Sequence, residues 1–231
     1  MKYNFNNCRV VINAGTEELK IEGTGEPARE TPTQEMAGVN IQRTYEDFSL
    51  FMAELDAVRV GDRVRVPSFK VPAAEIDGEY KLNFEEIEVV GEYSTVYKIE
   101  GEQISLVFDR ALLQSAIDNN NTKAWPDTQL ARYLRGAFLD ALKKETSATE
   151  CGLLRKEDLW GDNALPYFQT GRNRVCFDKD EDCSVWYWTE TPENEKASAA
   201  DFCYACYIGD ADYYGASHAD SCVRPRFVLH R

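Results

Sequence analysis

Four residues near the C-terminus have the types and order of a metal site. Cys203, Cys206, His218 and Cys222 run as Cys-x2-Cys-x11-His-x3-Cys, and thiolates and imidazole in that order suit a structural zinc ion. Strand geometry works against this reading. Residues three apart on a regular strand point to opposite faces, so Cys203 and Cys206 would need a tight knuckle, for which Tyr204-Ala205 carries no turn signal. Buried or incidental thiols are the expectation, with no metal and no cofactor. Nucleophilic catalysis has few parts to draw on. The histidines are His218 and His230, and Ser217 directly precedes His218, which puts the two on opposite strand faces. Carboxylates are numerous, but no spacing fixes the separation that a glycosidase pair requires. Asp178, Asp180, Glu181 and Asp182 form an acidic loop without an EF-hand pattern, so they read as a solvated charge run rather than a calcium site.

Recognition is better supplied than catalysis. Between Cys176 and Cys222 there are eleven Asp or Glu residues against Lys179 and Lys196, together with nine of the 27 aromatic residues. Large stiff rings beside polar side chains are the composition of a recognition surface; a loop-rich core with a solvated acidic rim is the alternative. Alternation over Asp201 to Ile208 places Phe202, Tyr204, Cys206 and Ile208 on a buried face and Asp201, Cys203, Ala205 and Tyr207 on the other. Gly209 permits a turn, after which Asp210, Asp212, Tyr213 and Tyr214 decorate a second short strand or loop. In Trp186-Tyr187-Trp188 the period of two sets Tyr187 opposite the tryptophans, with Trp188 in the core. The run Val223 to Leu229 is strand-like, with Pro225 suited to an edge or bulge. Arg224 and Arg226 within it call for a structural ion pair.

The elements that must carry these residues follow from pattern. The 231 residues (26.3 kDa) suffice for one or two domains with a real core. A net charge of −14 and a pI near 4.7 oppose phosphate backbones and anionic headgroups, so neither nucleic acid nor membrane is an expected partner. The first residues lack the apolar run of a signal peptide, and no stretch is apolar enough to insert into a membrane. Seven cysteines without export signals read as reduced thiols. Cys8 to Ala14 and Leu19 to Ile21 form a hairpin about Gly15-Thr16, and Gly23 to Asn40 reads as a loop or linker. Thr44 and Asp47 resemble a capping box for a helix of about 14 residues carrying Phe48, Phe51, Met52, Leu55 and Val58. Strands follow at Val64 to Val66, Phe84 to Val90, Thr95 to Ile99 and Ile104 to Phe108, the last two joined through Gly101-Glu102-Gln103. Asp127 can cap a second helix with Leu130, Leu134, Ala137, Phe138, Ala141 and Leu142 on one stripe. An irregular region begins at Thr149. The expectation is α+β, with an accessory segment 1–43, a main domain 44–231, and a ligand-display region 176–222.

One ordered set of short motifs goes further: Leu159-Trp160-Gly161, Leu165-Pro166-Tyr167-Phe168, Gly171-Arg172-Asn173-Arg174, Trp186-Tyr187-Trp188, Gly215-Ala216-Ser217 and Val223-Arg224-Pro225-Arg226-Phe227. Upstream, Val60-Gly61-Asp62-Arg63-Val64 and Trp125 with Leu130-Ala131-Arg132-Tyr133-Leu134 belong to the same pattern. In this order they resemble a large uncharacterised group of phage and gut-bacterial proteins. Members of that group resemble the C-type-lectin-like fold in the version shared with formylglycine-generating, or sulfatase-modifying-factor-like, enzymes. The resemblance spans roughly residues 58 to 230 and implies two helices, antiparallel strands and a loop-rich C-terminal half. Cys222 departs from it, standing where the pattern has Gly. The resemblance implies a non-enzymatic ligand-binding protein that displays Trp186, Glu190, Cys203, Tyr207, Asp210, Asp212, Tyr213, Tyr214, His218 and Asp220. The ligand is then a protein or cell-surface molecule, and homo-oligomerisation is left open. Some members resemble variable proteins diversified by retroelements, which implies a virion-associated location or a cytoplasmic one before assembly. The alternatives are a metal-dependent enzyme of formylglycine-generating type and an inert structural or assembly subunit. The enzymes' copper-binding cysteines are spaced more widely than Cys203 and Cys206, so their role does not carry over. The Glu-Pro-Asn and Trp-Asn-Asp signatures of calcium-dependent sugar lectins are absent, Pro192-Glu193-Asn194 having the wrong order.

Overall fold

In the structure, a computed structural model, residues 8–12, 19–23, 43–180, 183–193 and 200–231 are described. The expected Gly15-Thr16 turn, the loop from Gly23 to Asn40 beyond its first residue, and Glu181 and Asp182 lie outside them. The chain divides into two units, Met1–Val39 and Asn40–Arg231. In the first, β1 (Cys8–Ile12) pairs antiparallel with β2 (Leu19–Gly23), Val10 opposite Ile21.

The second unit is α+β. It begins with β3 (Thr44–Tyr45), which runs parallel to β4 (Arg63–Arg65). Thr44 is thus in a strand, and Asp47 caps the helix instead, its carboxylate accepting the Ser49 N–H at 2.8 Å. Helix α1 (Phe48–Ala53) has six residues, not about fourteen. The Glu54 N–H bonds to the carbonyls of both Leu50 and Phe51, and a 3-10 turn, Leu55–Ala57, takes over. Phe51, Leu55 and Val58 are still buried, so the apolar spacing is met by a tighter coil. The strand expected from Phe84 to Val90 is split. Its ends pair with different partners, β7 (Leu82–Phe84) with β6 (Ala74–Ile76), and β8 (Ile87–Val89) with β5 (Phe69–Val71).

β9 (Tyr93–Glu100) and β10 (Gln103–Phe108) form the expected hairpin, turned by Gly101 at φ +58°. β11 (Arg110–Ala111) and β12 (Leu113–Gln114) follow. A helical segment then comprises α2 (Gln129–Tyr133), a widened π turn at Leu134–Phe138 and α3 (Leu139–Thr146). Its cap is Thr128, whose hydroxyl accepts the Ala131 N–H, while Asp127 belongs to the preceding 3-10 turn. The widening falls at Gly136, the residue whose backbone leaves helical angles. Leu130, Leu134, Phe138, Ala141 and Leu142 are buried, Phe138 meeting Phe69 and Phe108 edge-on.

The region beyond Thr149 contains more regular structure than its sequence suggested. β13 (Glu150–Gly152), α4 (Lys156–Leu159), α5 (Gly171–Arg174), β14 (Cys176–Asp178) and β15 (Ser184–Val185) lead to β16 (Tyr187–Pro192), β17 (Asp201–Ala205), β18 (Ala211–Gly215), β19 (Cys222–Val223) and β20 (Arg226–His230). The larger sheet has the order β13-β20-β10-β9-β4-β3, and a terminal sheet has the order β12-β19-β16-β17-β18. Val223 pairs with Leu113 in the terminal sheet, whereas Arg226 pairs with Val107 in the larger one. The expected single strand is therefore broken at Arg224-Pro225, where the chain changes sheets. Pro225 suits this position because no ladder bond is asked of its nitrogen.

Arg224 is buried without a carboxylate within 4.0 Å among the described residues, so the expected ion pair is not formed there. Backbone dipoles substitute: Nε donates to the Phe108 carbonyl at 2.7 Å, and Nη1 donates to the Asn173 carbonyl and the Tyr187 hydroxyl. Arg226 does pair, with Glu150 at 3.6 Å and Glu190 at 3.8 Å. Among the described residues no helix is long and apolar enough to cross a membrane.

Candidate functional site

Register in the terminal sheet sorts the candidate residues onto two faces. Trp188, Tyr204 and Asp212 are opposite one another across β16, β17 and β18, and Phe202 is opposite Tyr214. On the other face Tyr187 is opposite Ala205, and Cys203 opposite Tyr213. Tyr213 and Tyr214 therefore project in opposite directions.

The first face forms a continuous array. Trp186 stacks on Tyr204 with centroids 5.2 Å apart and planes at 16°, while the indole remains 40% exposed. The Tyr204 hydroxyl donates to Asp212 Oδ2 at 3.2 Å. Burial, reinforced by that carboxylate, pushes the Tyr204 phenol up to about 12. Tyr214, 46% exposed, meets the edge of the His218 ring at 4.4 Å. His218 Nε2 is 4.0 Å from Asp220, and its Nδ1 is buried with no hydrogen-bond partner among the described residues. The turn from β17 to β18 adds Tyr207 and Ile208, 53% and 58% exposed, with Asp210 exposed beside them.

Alternation misplaced part of this turn. β17 ends at Ala205, so Ile208 faces solvent, and Cys206 is only half-buried. Both faces of β17 are covered, which buries Cys203 and Ala205 along with Phe202 and Tyr204. Cys203 is thus withdrawn from the candidate surface, and burial holds its thiol up at about 11. Above it Lys156 Nζ donates to the Tyr213 hydroxyl at 2.7 Å, an interaction that raises the lysine pKa. Tyr213 is consequently tied to α4 rather than presented with Tyr214.

Glu190 also stands apart. The pairing of β16 with β17 shifts between Trp188 and Pro192, and the Glu190 N–H bonds instead to the Leu154 carbonyl. Its carboxylate, 10% exposed, accepts from Arg155 Nε at 2.8 Å and lies beside Arg226. With Trp125 and Pro126 it lines a separate cleft of about 380 Å³. The zinc-like set is dispersed as well. Cys222 on β19 is two strands from Cys203 on β17, roughly 10 Å at the usual strand spacing. Among the described residues no three His, Cys, Asp or Glu side chains come together as metal ligands.

The array is held from beneath by residues outside the candidate set. Gly209, at φ +85°, closes the turn with its N–H bonded to the Cys206 carbonyl. Its own carbonyl accepts from Trp160 Nε1 and from Arg174 Nε, each at 3.0 Å. Arg174 Nη1 donates to the Phe168 carbonyl at 2.6 Å, and the Arg174 carbonyl accepts the Tyr187 hydroxyl at 2.8 Å. Their signal in the sequence was the Trp160-Gly161 and Gly171-to-Arg174 motifs.

Residues 146–231 match DUF6273, a domain of unknown function. No curated protein and no solved structure matches the chain. The segment similar to DUF6273 contains all ten candidate residues and the hairpin anchors Trp160, Arg174 and Gly209, so the candidate array and its support fall within one matched stretch.

Proposed function

We propose that this protein is a non-enzymatic ligand-binding protein. Its C-terminal region is C-type-lectin-like and presents Trp186, Tyr207, Asp210, Asp212, Tyr214, His218 and Asp220 to a protein or cell-surface ligand. The observation that carries this reading is the concentration of exposed apolar side chains. Among the described residues the large exposed ones are Leu50, Tyr80, Val90, Phe177, Trp186, Tyr207, Ile208 and Tyr214. Four of these eight belong to the terminal sheet: Tyr214 on its edge strand β18, Tyr207 and Ile208 in the turn before that strand, and Trp186 just ahead of β16 and stacked on Tyr204. Folded chains rarely leave such rings in water together unless a partner covers them. The ordered motifs support the C-type-lectin-like part. The mixture of Tyr and Asp on a backbone-anchored hairpin, with His218 just beyond it, supports diversification by a retroelement in a phage or prophage gene.

The test is selection of a random-peptide display library on the wild-type protein and on the Trp186→Ala/Tyr214→Ala double variant. Recovered clones should lose at least tenfold in binding to the variant while its melting temperature stays within a few degrees of wild type. Clones that bind both proteins equally refute the display face. A near-copy of the gene's 3′ end in flanking DNA, differing only opposite adenines, is the outcome expected for the retroelement part; its absence removes that part.

A further inference from the structure

The display face is chemically one-sided. From Cys183 to Cys222 the only Lys or Arg is Lys196, which lies outside the described residues. Asp210, Asp212 and Asp220 have no Lys or Arg within 4.0 Å among the described residues; Asp212 bonds to the Tyr204 hydroxyl and the Tyr213 N–H, and Asp220 is near His218 alone. Some exposed carboxylates elsewhere are paired, as Glu75 is with Lys81, Glu86 with Lys70 and Glu100 with Lys98, and others such as Glu79, Glu85 and Glu145 are single among the described residues, so it is the grouping of Asp210, Asp212 and Asp220 beside exposed rings that marks this face. The unpaired carboxylates also alternate with flat rings. Trp186 stacks on Tyr204 and is 40% exposed, and Tyr214 shares its sheet face with Asp212 two residues away.

We infer that the natural occupant of this face is a basic protein segment, and specifically one that brings arginine side chains. This rests on the display reading and names its partner chemistry. A guanidinium meets both demands at once, since its plane stacks on aromatic faces and its five N–H groups fork onto carboxylates. An ammonium satisfies the carboxylates but has no plane to stack. The chain's net charge of −14 steers such a partner from a distance, while the aromatic rings decide where it settles.

The experiment uses the full chain and three synthetic twelve-residue peptides, alternating Arg-Gly, Lys-Gly and Glu-Gly, measured by isothermal titration calorimetry in 150 mM salt. Arg-Gly should bind at least threefold more tightly than Lys-Gly, and Glu-Gly should not bind. Asp210→Asn/Asp212→Asn/Asp220→Asn should weaken Arg-Gly at least tenfold. Glu79→Gln/Glu85→Gln/Glu145→Gln removes the same charge elsewhere and should weaken it less than twofold. Trp186→Leu/Tyr214→Leu leaves the charge intact and should weaken it at least fivefold. If loss of the Asp212 carboxylate unsettles the fold, Asp210→Asn/Asp220→Asn serves in its place, with at least a threefold loss expected. Equal losses in the two charge-neutralised triples, equal binding of Arg-Gly and Glu-Gly, or no binding of Arg-Gly overturns the inference. Library clones that depend on Trp186 and Tyr214 yet contain no basic residue overturn it while leaving the display face standing; the absence of any face-dependent clone fails both.

Discussion

Replacing Gly209 by Ala should damage this protein more than its single added methyl suggests. The residue sits at φ +85°, where an L side chain costs about 1–2 kcal/mol. A Cβ there would also lie 3.1 Å from the Gly171 carbonyl oxygen and 3.1 Å from Arg174 Cβ. The first of these is backbone and cannot swing aside, so roughly 1 kcal/mol of strain adds to the backbone term, giving about 2–3 kcal/mol in all. Gly101→Ala is the internal control. It has the same sign of φ, +58°, but nothing within 4 Å of its Cβ, so it should cost only about 1 kcal/mol. Urea unfolding of the two variants separates backbone strain from packing. For a unit of this size the difference corresponds to a further fall of roughly 2–8 °C in melting temperature. Because the Gly209 carbonyl takes both the Trp160 and Arg174 donors, Gly209→Ala should also weaken Arg-Gly peptide binding, although glycine contributes no side chain to the face. Equal cost for the two substitutions would refute the claim that α5 clamps the display turn.

Two further outcomes concern the core beneath that turn. Arg224→Met removes a buried guanidinium and strands the carbonyls of Phe108 and Asn173, so it should cost about 3 kcal/mol; Tyr187→Phe, which strands the Arg174 carbonyl and takes one of two acceptors from Arg224 Nη1, should cost about 1–2 kcal/mol by urea unfolding. Alkali should unfold the protein from pH 9 upward. Burial pushes the thiols of Cys151 and Cys176 up to about 12, those of Cys203 and Cys222 to about 11, and the phenols of Tyr133, Tyr187 and Tyr204 to about 12. Each folded-state pKa exceeds its ordinary value, so the unfolded chain releases these protons first. The stability they contribute is intact below about pH 9 for the thiols and pH 10 for the phenols, and is lost as pH rises toward 12, by about 1.4 kcal/mol per pH unit per group. Tryptophan fluorescence against pH checks this; a flat stability profile from pH 9 to 11 would contradict the burial of the thiols.

What the sequence disclosed depended on whether one face of an element is wet. The β9–β10 hairpin was legible because Gly101 marks its turn and β-rich segments flank it. Around β17 the period of two assigned the faces but not their burial, because Cys203 and Ala205 on one face are covered as fully as Phe202 and Tyr204 on the other. A strand covered on both sides carries no alternation to detect. The helix starts were found only to within a few residues: Thr44 is taken by pairing with Arg63, and Thr128 adjoins Asp127 as an equally good cap. Glu190 was misassigned because the β16 bulge that turns it toward Arg155 leaves no mark in composition, whereas Ile208 could have been found. Gly209 was already recognised as a turn, and a hairpin turn there requires the strand to end before Ile208. On the proposed reading, the same geometry leaves the display face free to carry a mixture of residues. Trp160 and Arg174 grip the turn through the backbone carbonyl of Gly209 rather than through any side chain of the hairpin tip. Side chains at 207, 208 and 210 can therefore be exchanged while both anchoring bonds, and with them the orientation of the hairpin, are retained. That separation between a fixed grip and free positions is the physical requirement of a surface whose partners change.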